Sequence, residues 1–359
     1  MFFYFIIMAA EKYISIYTGN IYRRQGGRRM ARLAAARLWE VLLYLAPSIR
    51  GILERLPPSV AEGIEEIRLR LERPLAIRYN QQEYFLDAQG RITREPSAAY
   101  HVAAEDISRT VQSISQGSLY AFEEEFRQGF LTLPGGHRVG LAGKAVLERG
   151  DIKTLRDIGS LNFRIARAVP GSARPLLPYV LDFRNKRPYH TLLVSPPCAG
   201  KTTLLRDIIR SLSYGIPELH FPALSVGVVD ERCELAACYQ GVPQHDLGPR
   251  VDVLDRCPKA AGMIILLRSM APQVIATDEI GRCEDINAIW EMLYTGVSIL
   301  ATVHASSWEE LERRPYLQDV VNKRVFQRYV FLSRRKGPGT VEGVWDAQRN
   351  CLFGEQRER

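Results

Sequence analysis

Apolar residues recur at helical spacing between Ala31 and Leu56, which predicts one amphipathic helix or two helices separated near Pro47. Beyond this region, apolar and polar residues alternate as they do in strands, and turn residues separate the runs. The pattern predicts strands over 64–71, 75–79 and 83–86, helices over 105–115 and 119–128, and a hairpin over 130–143 that turns at 134–136.

The second half of the chain has a different pattern, in which short apolar runs alternate with helical segments. This order is typical of a mostly parallel sheet flanked by helices. Strands are predicted over 161–167, 192–194, 225–229, 274–277 and 298–303, and helices over 202–214 and 284–294. The predicted divisions are a poorly ordered extension over 1–29, a smaller α+β domain over 30–150, a linker and strand over 151–178, an α/β domain over 179–336 and a tail over 337–359.

Composition places the chain among ordinary soluble globular proteins, with 46% hydrophobic and 25% charged residues among 359. Six cysteines occur without a Cys-x-x-Cys pair, so neither a disulfide framework nor a zinc site is indicated, and a reducing, cytoplasmic compartment is expected. The net charge of +8 would suit nucleic acid or an anionic membrane surface. Half of this excess lies in residues 1–29, where five basic residues face one acid.

The N-terminal ten residues, 1–10, are apolar but far shorter than the roughly 20 residues of a membrane-spanning helix. They also lack the basic leader of a secretory signal. A segment that touches a membrane is one interpretation. The preferred hypothesis is that translation begins at Met30, since codons for Gly26 and Gly27 can form a purine-rich ribosome-binding site.

The chemically most specific feature is the stretch that joins the predicted strand 192–194 to the predicted helix 202–214. A buried strand that enters a tight loop and then a helix holds the phosphates of a nucleotide with main-chain N–H groups. Lys201 would reach the β and γ phosphates and Thr202 would bind Mg²⁺. The predicted ATP-binding residues are Ser195, Pro196, Pro197, Cys198, Ala199, Gly200, Lys201, Thr202 and Thr203, with Ser195 where the consensus has glycine.

Two carboxylates, Asp278 and Glu279, end the predicted strand 274–277. This pattern indicates a Walker B element, in which Asp278 would hold Mg²⁺ and Glu279 would deprotonate the attacking water.

The ends of two further predicted strands carry polar groups that could face the same ligand. Asp230, Glu231 and Glu234 follow strand 225–229, and Glu231 competes with Glu279 for the role of general base, with Glu279 preferred. Thr302 and His304 end strand 298–303 and could sense the γ phosphate. Arginines that could stabilise the transferred phosphoryl group, in one subunit or across two, are Arg138, Arg164, Arg167, Arg250, Arg268 and Arg282.

With these elements identified, the chain resembles the stage III sporulation protein AA family, a branch of the ring-forming secretion ATPases related to type II and type IV secretion motors. The resemblance covers nearly all of residues 60–335. It is carried by Glu66-Ile-Arg-Leu-Arg70, Arg73-Pro-Leu75, residues 130–140, residues 252–259, Met270-Ala-Pro-Gln273 and Asp278-Glu-Ile-Gly-Arg282.

The resemblance implies a RecA-like P-loop ATP hydrolase that uses ATP and Mg²⁺. It further implies a homo-oligomer, a hexameric ring, that acts at the cytoplasmic face of a membrane with the proteins of a sporulation channel. The superfamily's Asp box would correspond to Asp230-Glu231 and its His box to His304.

Two other functions are compatible with the same residues. RecA-like sheets also drive ATPases that handle single-stranded DNA or RNA, but no groove of aromatic and basic residues is evident, so a nucleic-acid partner is not expected. A platform that binds ATP and hardly hydrolyses it is the third possibility, and the complete set of carboxylates and lysine argues against it.

Overall fold

The computed structural model describes residues 37–115 and 123–354, which form two compact units divided between Arg167 and Ala168. Residues 1–36, 116–122 and 355–359 lie outside the description, and with them the predicted extension, the start of the first helix and part of the predicted helix 119–128. No helix within the described ranges is both long and apolar enough to cross a membrane.

Unit 1 is an antiparallel sheet covered by short helices. Its strands are β1 (Ile64–Arg70), β2 (Ala76–Tyr79), β3 (Gln82–Leu86), β4 (Ile92–Thr93), β5 (Phe130–Thr132), β6 (Arg138–Glu148) and β7 (Asp151–Arg164), in the order β4-β3-β2-β1-β7-β6-β5. Its helices are α1 (residues 37–42), α2 (Pro47–Leu53), α3 (Pro58–Ala61), α4 (Ala104–Ile114) and α5 (Glu123–Gln128).

Burial explains why this α+β arrangement forms. Ile67 on β1 and Phe163 on β7 are fully buried and belong to one core with Leu42, Ile49 and Ile107 of the helices. The helical apolar stripe and the alternating strands thus supply the two faces of a single hydrophobic layer. The break near Pro47 is observed, since α2 begins there, and the hairpin of β5 and β6 turns at Pro134–Gly136 as its residues predict.

Unit 2 is built on an eight-stranded sheet. Its strands are β10 (Thr191–Ser195), β11 (Val226–Asp230), β12 (Val251–Asp255), β13 (Val274–Thr277), β14 (Ser298–His304), β15 (Arg328–Ser333), β16 (Thr340–Asp346) and β17 (Cys351–Gly354), and a separate pair comprises β8 (Leu181–Asp182) and β9 (Arg187–Pro188). The strand order in the large sheet is β12-β11-β13-β14-β10-β15-β16-β17. Along this order, neighbouring strands from β12 to β15 pair in parallel, whereas β15–β16 and β16–β17 pair antiparallel.

Helices cover both faces of this sheet, which explains the uninterrupted apolar runs of its central strands. On β10, Leu193 packs into the core beneath α7, whereas Leu192 and Val194 pack into the core on the opposite face. The helices of unit 2 are α6 (Leu177–Val180), α7 (Lys201–Tyr214), α8 (Lys259–Met270), α9 (Cys283–Leu293), α10 (Trp308–Arg313) and α11 (Pro315–Asn322).

The predicted mixed α/β class is confirmed, and the central strands lie within a residue or two of their predicted positions. Elements that the pattern did not predict include β12, α8, β15, α10 and α11, and the predicted tail contains two strands, β16 and β17. The strand predicted within 151–178 is the end of β7, which pairs with β1 and β6 in unit 1. The predicted domain limits themselves remain a prediction.

Two helical glycines provide a matched test of packing. A Cβ on Gly262 of α8 would lie 2.6 Å from Val229 Cγ1, whereas a Cβ on Gly51 of α2 would meet nothing within 4 Å. We expect Gly262→Ala to lower the free energy of unfolding by about 1–3 kcal/mol through overpacking. Gly51→Ala should raise it by up to about 1 kcal/mol, because alanine favours the helix. Urea unfolding of both variants measures the difference, and equal shifts would contradict the close packing of α8 on β11.

Candidate functional site

The loop between β10 and α7 makes a tight turn through left-handed backbone conformations. Cys198 has a φ of 58° and Gly200 has a φ of 91° immediately before the helix begins at Lys201. Gly200 adopts this conformation without steric penalty because it lacks a Cβ. The turn directs the first N–H groups of α7, which have no partner within the helix, to the carboxyl edge of the sheet.

Lys201 is buried beneath this loop, with 4% of its surface exposed. Its Nζ donates to the carbonyl oxygens of Ser195 and Pro196, both at 3.3 Å, and to His304 Nδ1 at 2.8 Å. Burial lowers the pKa of Lys201, and the negative charges of Asp278 and Glu279 oppose that shift. The lysine is therefore a partly desolvated cation held in place by weak carbonyl acceptors.

The contacts of His304 define the tautomer of its ring. An ammonium group has no acceptor, so Nδ1 must accept the hydrogen bond from Lys201. The proton of the neutral ring then resides on Nε2, which lies 2.5 Å from Glu279 Oε1 and donates to it. His304 thus links the lysine of the loop to the glutamate at the end of β13.

The carboxylate of Asp278 accepts hydrogen bonds from hydroxyl groups on two different elements. Thr202 Oγ1 on α7 donates to Asp278 Oδ2 at 2.7 Å, and Thr302 Oγ1 on β14 donates to the other carboxylate oxygen. A hydroxyl and a carboxylate in contact are the hard oxygen ligands that Mg²⁺ requires. Thr202 and Asp278 therefore fit the ion that the sequence predicted at this position.

Glu279 is held by its backbone and by its side chain. Its φ of 51° is in the left-handed region, which a non-glycine residue adopts rarely, and its N–H donates to Thr302 Oγ1 at 2.8 Å. One carboxylate oxygen accepts from His304 and the other is paired with Arg232, whose side chain is 58% exposed. The carboxylate is thus oriented from two sides at the edge of the sheet.

Glu231, the other candidate base, is paired with a different partner. Its carboxylate forms an ion pair with Lys259 at the start of α8, and the side chains of the two are 22% and 7% exposed, respectively. A lysine buried to this extent needs a negative partner, because desolvation of an unpaired ammonium is costly. The carboxylate of Glu231 is therefore already paired with the ammonium group of Lys259.

Asp230 has a structural role in the turn that follows β11. It is 1% exposed, and its oxygens accept the N–H groups of Glu234 at 2.8 Å, Ala236 at 2.8 Å and Ala237 at 3.3 Å. These bonds use the lone pairs that a metal ion would need. The turn brings Glu231 and Arg232 to the small cavity that Asp278 and Glu279 also line.

The structure brings together most residues that the sequence selected, since contacts connect Lys201, Thr202, Asp278, Glu279 and His304. It also adds two cations that the sequence analysis missed, Arg232 and Lys259. The position of Arg232, directly after two acids at a strand end, was an available signal. No signal marked Lys259, because neither β12 nor α8 was predicted.

None of the arginines proposed from the sequence lines this cavity among the described residues. In unit 2, Arg250 donates to Ser213 O at 3.0 Å, and in unit 1, Arg167 donates to the carbonyl oxygens of Glu62 and Ile64. The role of an arginine supplied by a second subunit remains a prediction.

Comparison with known proteins identifies relatives that match most of the chain. The family profile "Sporulation stage III, protein AA" matches residues 36–352. The "Stage III sporulation protein AA" of Bacillus subtilis is 43% identical over 313 residues, which are 87% of this chain and 96% of that protein. The "Uncharacterized protein ycf45" of Porphyra purpurea is 25% identical over 78% of this chain and 44% of that protein.

Solved structures that resemble the fold are more distant. The ATPase DotB of Legionella pneumophila superposes with a TM-score of 0.46 at 16% identity, covering 75% of this chain and 72% of DotB. The pilus retraction motor PilT with bound ADP gives 0.49 at 15% identity, covering 75% of this chain and 74% of PilT.

The pair of Glu231 and Lys259 yields a prediction for stability. Lys259→Met leaves Glu231 without its partner and should lower the free energy of unfolding by about 2–4 kcal/mol. Adding Glu231→Gln should restore much of this loss, because the uncompensated charge is removed. Urea unfolding of the two single variants and the double variant measures the coupling. Additive losses would show that the two side chains do not interact.

Proposed function

This chain belongs to the sporulation stage III protein AA family, and from that premise we propose that it is a Mg²⁺-dependent ATPase. We propose further that it works as the motor of a secretion or channel complex during spore formation. The observation that carries the ATPase proposal is the hydrogen bond between Thr202 on the phosphate-loop helix and Asp278 at the end of β13. In this bond, the two oxygen groups that would bind one Mg²⁺ lie side by side, and Asp278 also acts electrostatically on Lys201.

In the proposed site, the triphosphate lies along residues 195–203, which we call the phosphate loop. There, N–H groups of the first turn of α7 donate to its oxygens. The ammonium of Lys201 exchanges its contacts with the Ser195 and Pro196 carbonyls for phosphate oxygens. This exchange is favourable because a charged acceptor replaces neutral ones. Thr202 and Asp278 would hold Mg²⁺, which would neutralise charge that develops on the phosphates.

Glu279 takes the role of general base in this proposal, because its neighbours orient it at the γ-phosphate end of the loop. His304 donates to one oxygen and Arg232 is paired with the other. Release of one of these contacts frees a carboxylate oxygen to accept the proton of the attacking water. Arg232 is the more exposed partner, with 58% of its side chain in solvent. Separation of Arg232 from Glu279 therefore changes the solvation of the partner side chain less than separation of His304 would.

His304 contacts both the lysine proposed to bind the phosphates and the proposed general base. Its Nδ1 accepts from Lys201 and its Nε2 donates to Glu279, so a lysine that turns to a phosphate leaves the ring with only one of its two partners. The histidine can then reorient with the glutamate when the γ phosphate is present. Glu231 contributes less directly, since its charge is balanced by Lys259.

The assembly part of the proposal rests on the family. A homo-oligomeric ring, predicted to be hexameric, would act at the cytoplasmic face of a membrane together with the membrane proteins of a sporulation channel. A neighbouring subunit would then supply the arginine that stabilises the transferred phosphoryl group.

The first test removes the lysine. Lys201→Ala should abolish ATP hydrolysis, because the γ phosphate loses its principal cation, while the melting temperature changes little. Phosphate release and circular dichroism of the full chain measure the two effects. Lys186→Ala, an exposed lysine of unit 2, is the control and should hydrolyse ATP at the wild-type rate. If Lys201→Ala hydrolysed ATP normally, the proposed pocket would be incorrect.

The second test separates the two candidate bases. Glu279→Gln should keep nucleotide binding and lower kcat by about 10²–10⁴-fold, because an amide cannot accept the proton. Glu231→Gln should lower kcat much less, since its carboxylate is engaged by Lys259. Single-turnover hydrolysis and ADP binding by both variants decide the assignment, and the opposite order of effects would identify Glu231 as the base.

A further inference from the structure

The turn between β15 and β16, residues 334–339, contacts the phosphate loop directly. The N–H of Gly339 donates to the carbonyl oxygen of Ala199 at 2.8 Å. A Cβ placed on Gly200 would lie 2.8 Å from Gly339 N and 3.5 Å from the carbonyl carbon of Pro338. The backbones of the turn and the loop thus touch where two glycines allow it. We call residues 334–339 the hairpin tip.

The conformation of the hairpin tip is fixed by its own bonds. Gly337 and Gly339 have φ values of 109° and 85°, which side chains disfavour. Thr340 Oγ1 donates to Gly337 O at 2.7 Å and accepts from the N–H of Lys336 at 3.2 Å. The hairpin tip therefore has a defined backbone conformation beside the loop, and its hydrogen bond to Ala199 contributes to that conformation.

Sheet order determines which part of a bound nucleotide lies near the hairpin tip. The strand before the loop, β10, lies between β14 on one side and β15 on the other. Asp278, Glu279 and His304 end β13 and β14, so the γ-phosphate end of the proposed ATP lies on that side. The hairpin tip follows β15 on the other side. A nucleotide laid along the loop therefore has its nucleoside near the hairpin tip.

The side chains of the hairpin tip suit a nucleoside. Pro338 is exposed and presents an apolar ring between two glycines, and a flat purine can pack on such a surface. Lys336 is also exposed and offers a flexible donor to ribose hydroxyl or ring nitrogen acceptors. Arg335, by contrast, is paired with Glu342 at 3.2 Å and is held within the turn.

We propose that the hairpin tip is the nucleoside-binding wall of the ATP site, with Pro338 packing against the base and Lys336 donating to the nucleoside. This inference rests on the proposed ATPase function and adds a subsite to it. The phosphates are held by the loop and the nucleoside by the hairpin tip, so the two parts of the nucleotide are recognised by different elements of unit 2.

The test compares a ligand that has a nucleoside with one that lacks it. Mg·ADP and Mg·tripolyphosphate are titrated calorimetrically into the full chain, wild type and the double variant Lys336→Ala with Pro338→Ala. The variant should bind ADP about tenfold more weakly, the effect of one lost charged hydrogen bond, and bind tripolyphosphate as the wild type does. Lys323→Ala is the control, because this exposed lysine comes before the first residue of β15, whereas the hairpin tip follows the last residue of that strand.

Three other outcomes would contradict the nucleoside-binding role of the hairpin tip or the ATPase function. Unchanged ADP affinity in the double variant would remove the hairpin tip from the site. An equal loss for ADP and tripolyphosphate would mean that the tip acts on the phosphates, which contradicts the nucleoside assignment. If the wild-type chain bound neither ligand, the ATPase proposal itself would fail, and that result is distinct from the other two.

Discussion

Ser195 and His304 stand opposite each other in the parallel pairing of β10 with β14, and the contact between the phosphate-loop lysine and the histidine follows from that register. The phosphate loop begins at one strand end and the histidine ends the other, so Lys201 contacts both. On the other side of β14, Thr277 pairs with Ala301, which brings Asp278 to the hydroxyl of Thr302. A shift of one residue in either pairing would turn these side chains to the opposite face of the sheet.

Charge balance is the second constraint on the site. The small cavity is lined by two cations, Arg232 and Lys259, and by five carboxylates, those of Asp230, Glu231, Glu234, Asp278 and Glu279. The charges of Asp278 and Glu279 also act on Lys201. Burial of such charges without partners is unfavourable, and polar contacts offset the cost here. Glu231 and Glu279 have cationic partners, Asp278 accepts two hydroxyl groups, and Lys201 donates to two carbonyl oxygens and an imidazole. A ligand that binds to these side chains must therefore replace existing contacts with contacts of similar strength.

Local pattern was sufficient to predict the strands that carry the chemistry, because buried parallel strands are short continuous apolar runs. The sequence also identified Lys201, Thr202, Asp278, Glu279 and His304 as one group, since strand ends on the same edge converge. It could not identify Lys259, because α8 is apolar on most of its surface and so lacks the periodicity that marks a helix. The contact of Gly339 with Ala199 joins residues far apart in sequence, and no local signal encodes it.

The hydrogen bond from Gly339 to Ala199 joins the phosphate loop to β16, and β16 pairs in turn with the outermost strand, β17. The antiparallel strands at that edge of the sheet are thereby hydrogen-bonded, through Gly339, to the loop that is proposed to bind the phosphates. A load applied to the outer border of unit 2 would reach the loop through this hydrogen bond as well as through the pairing of β15 with β10. In the other direction, a rearrangement of the loop would displace that border, which lies on the side of β10 away from Asp278 and Glu279.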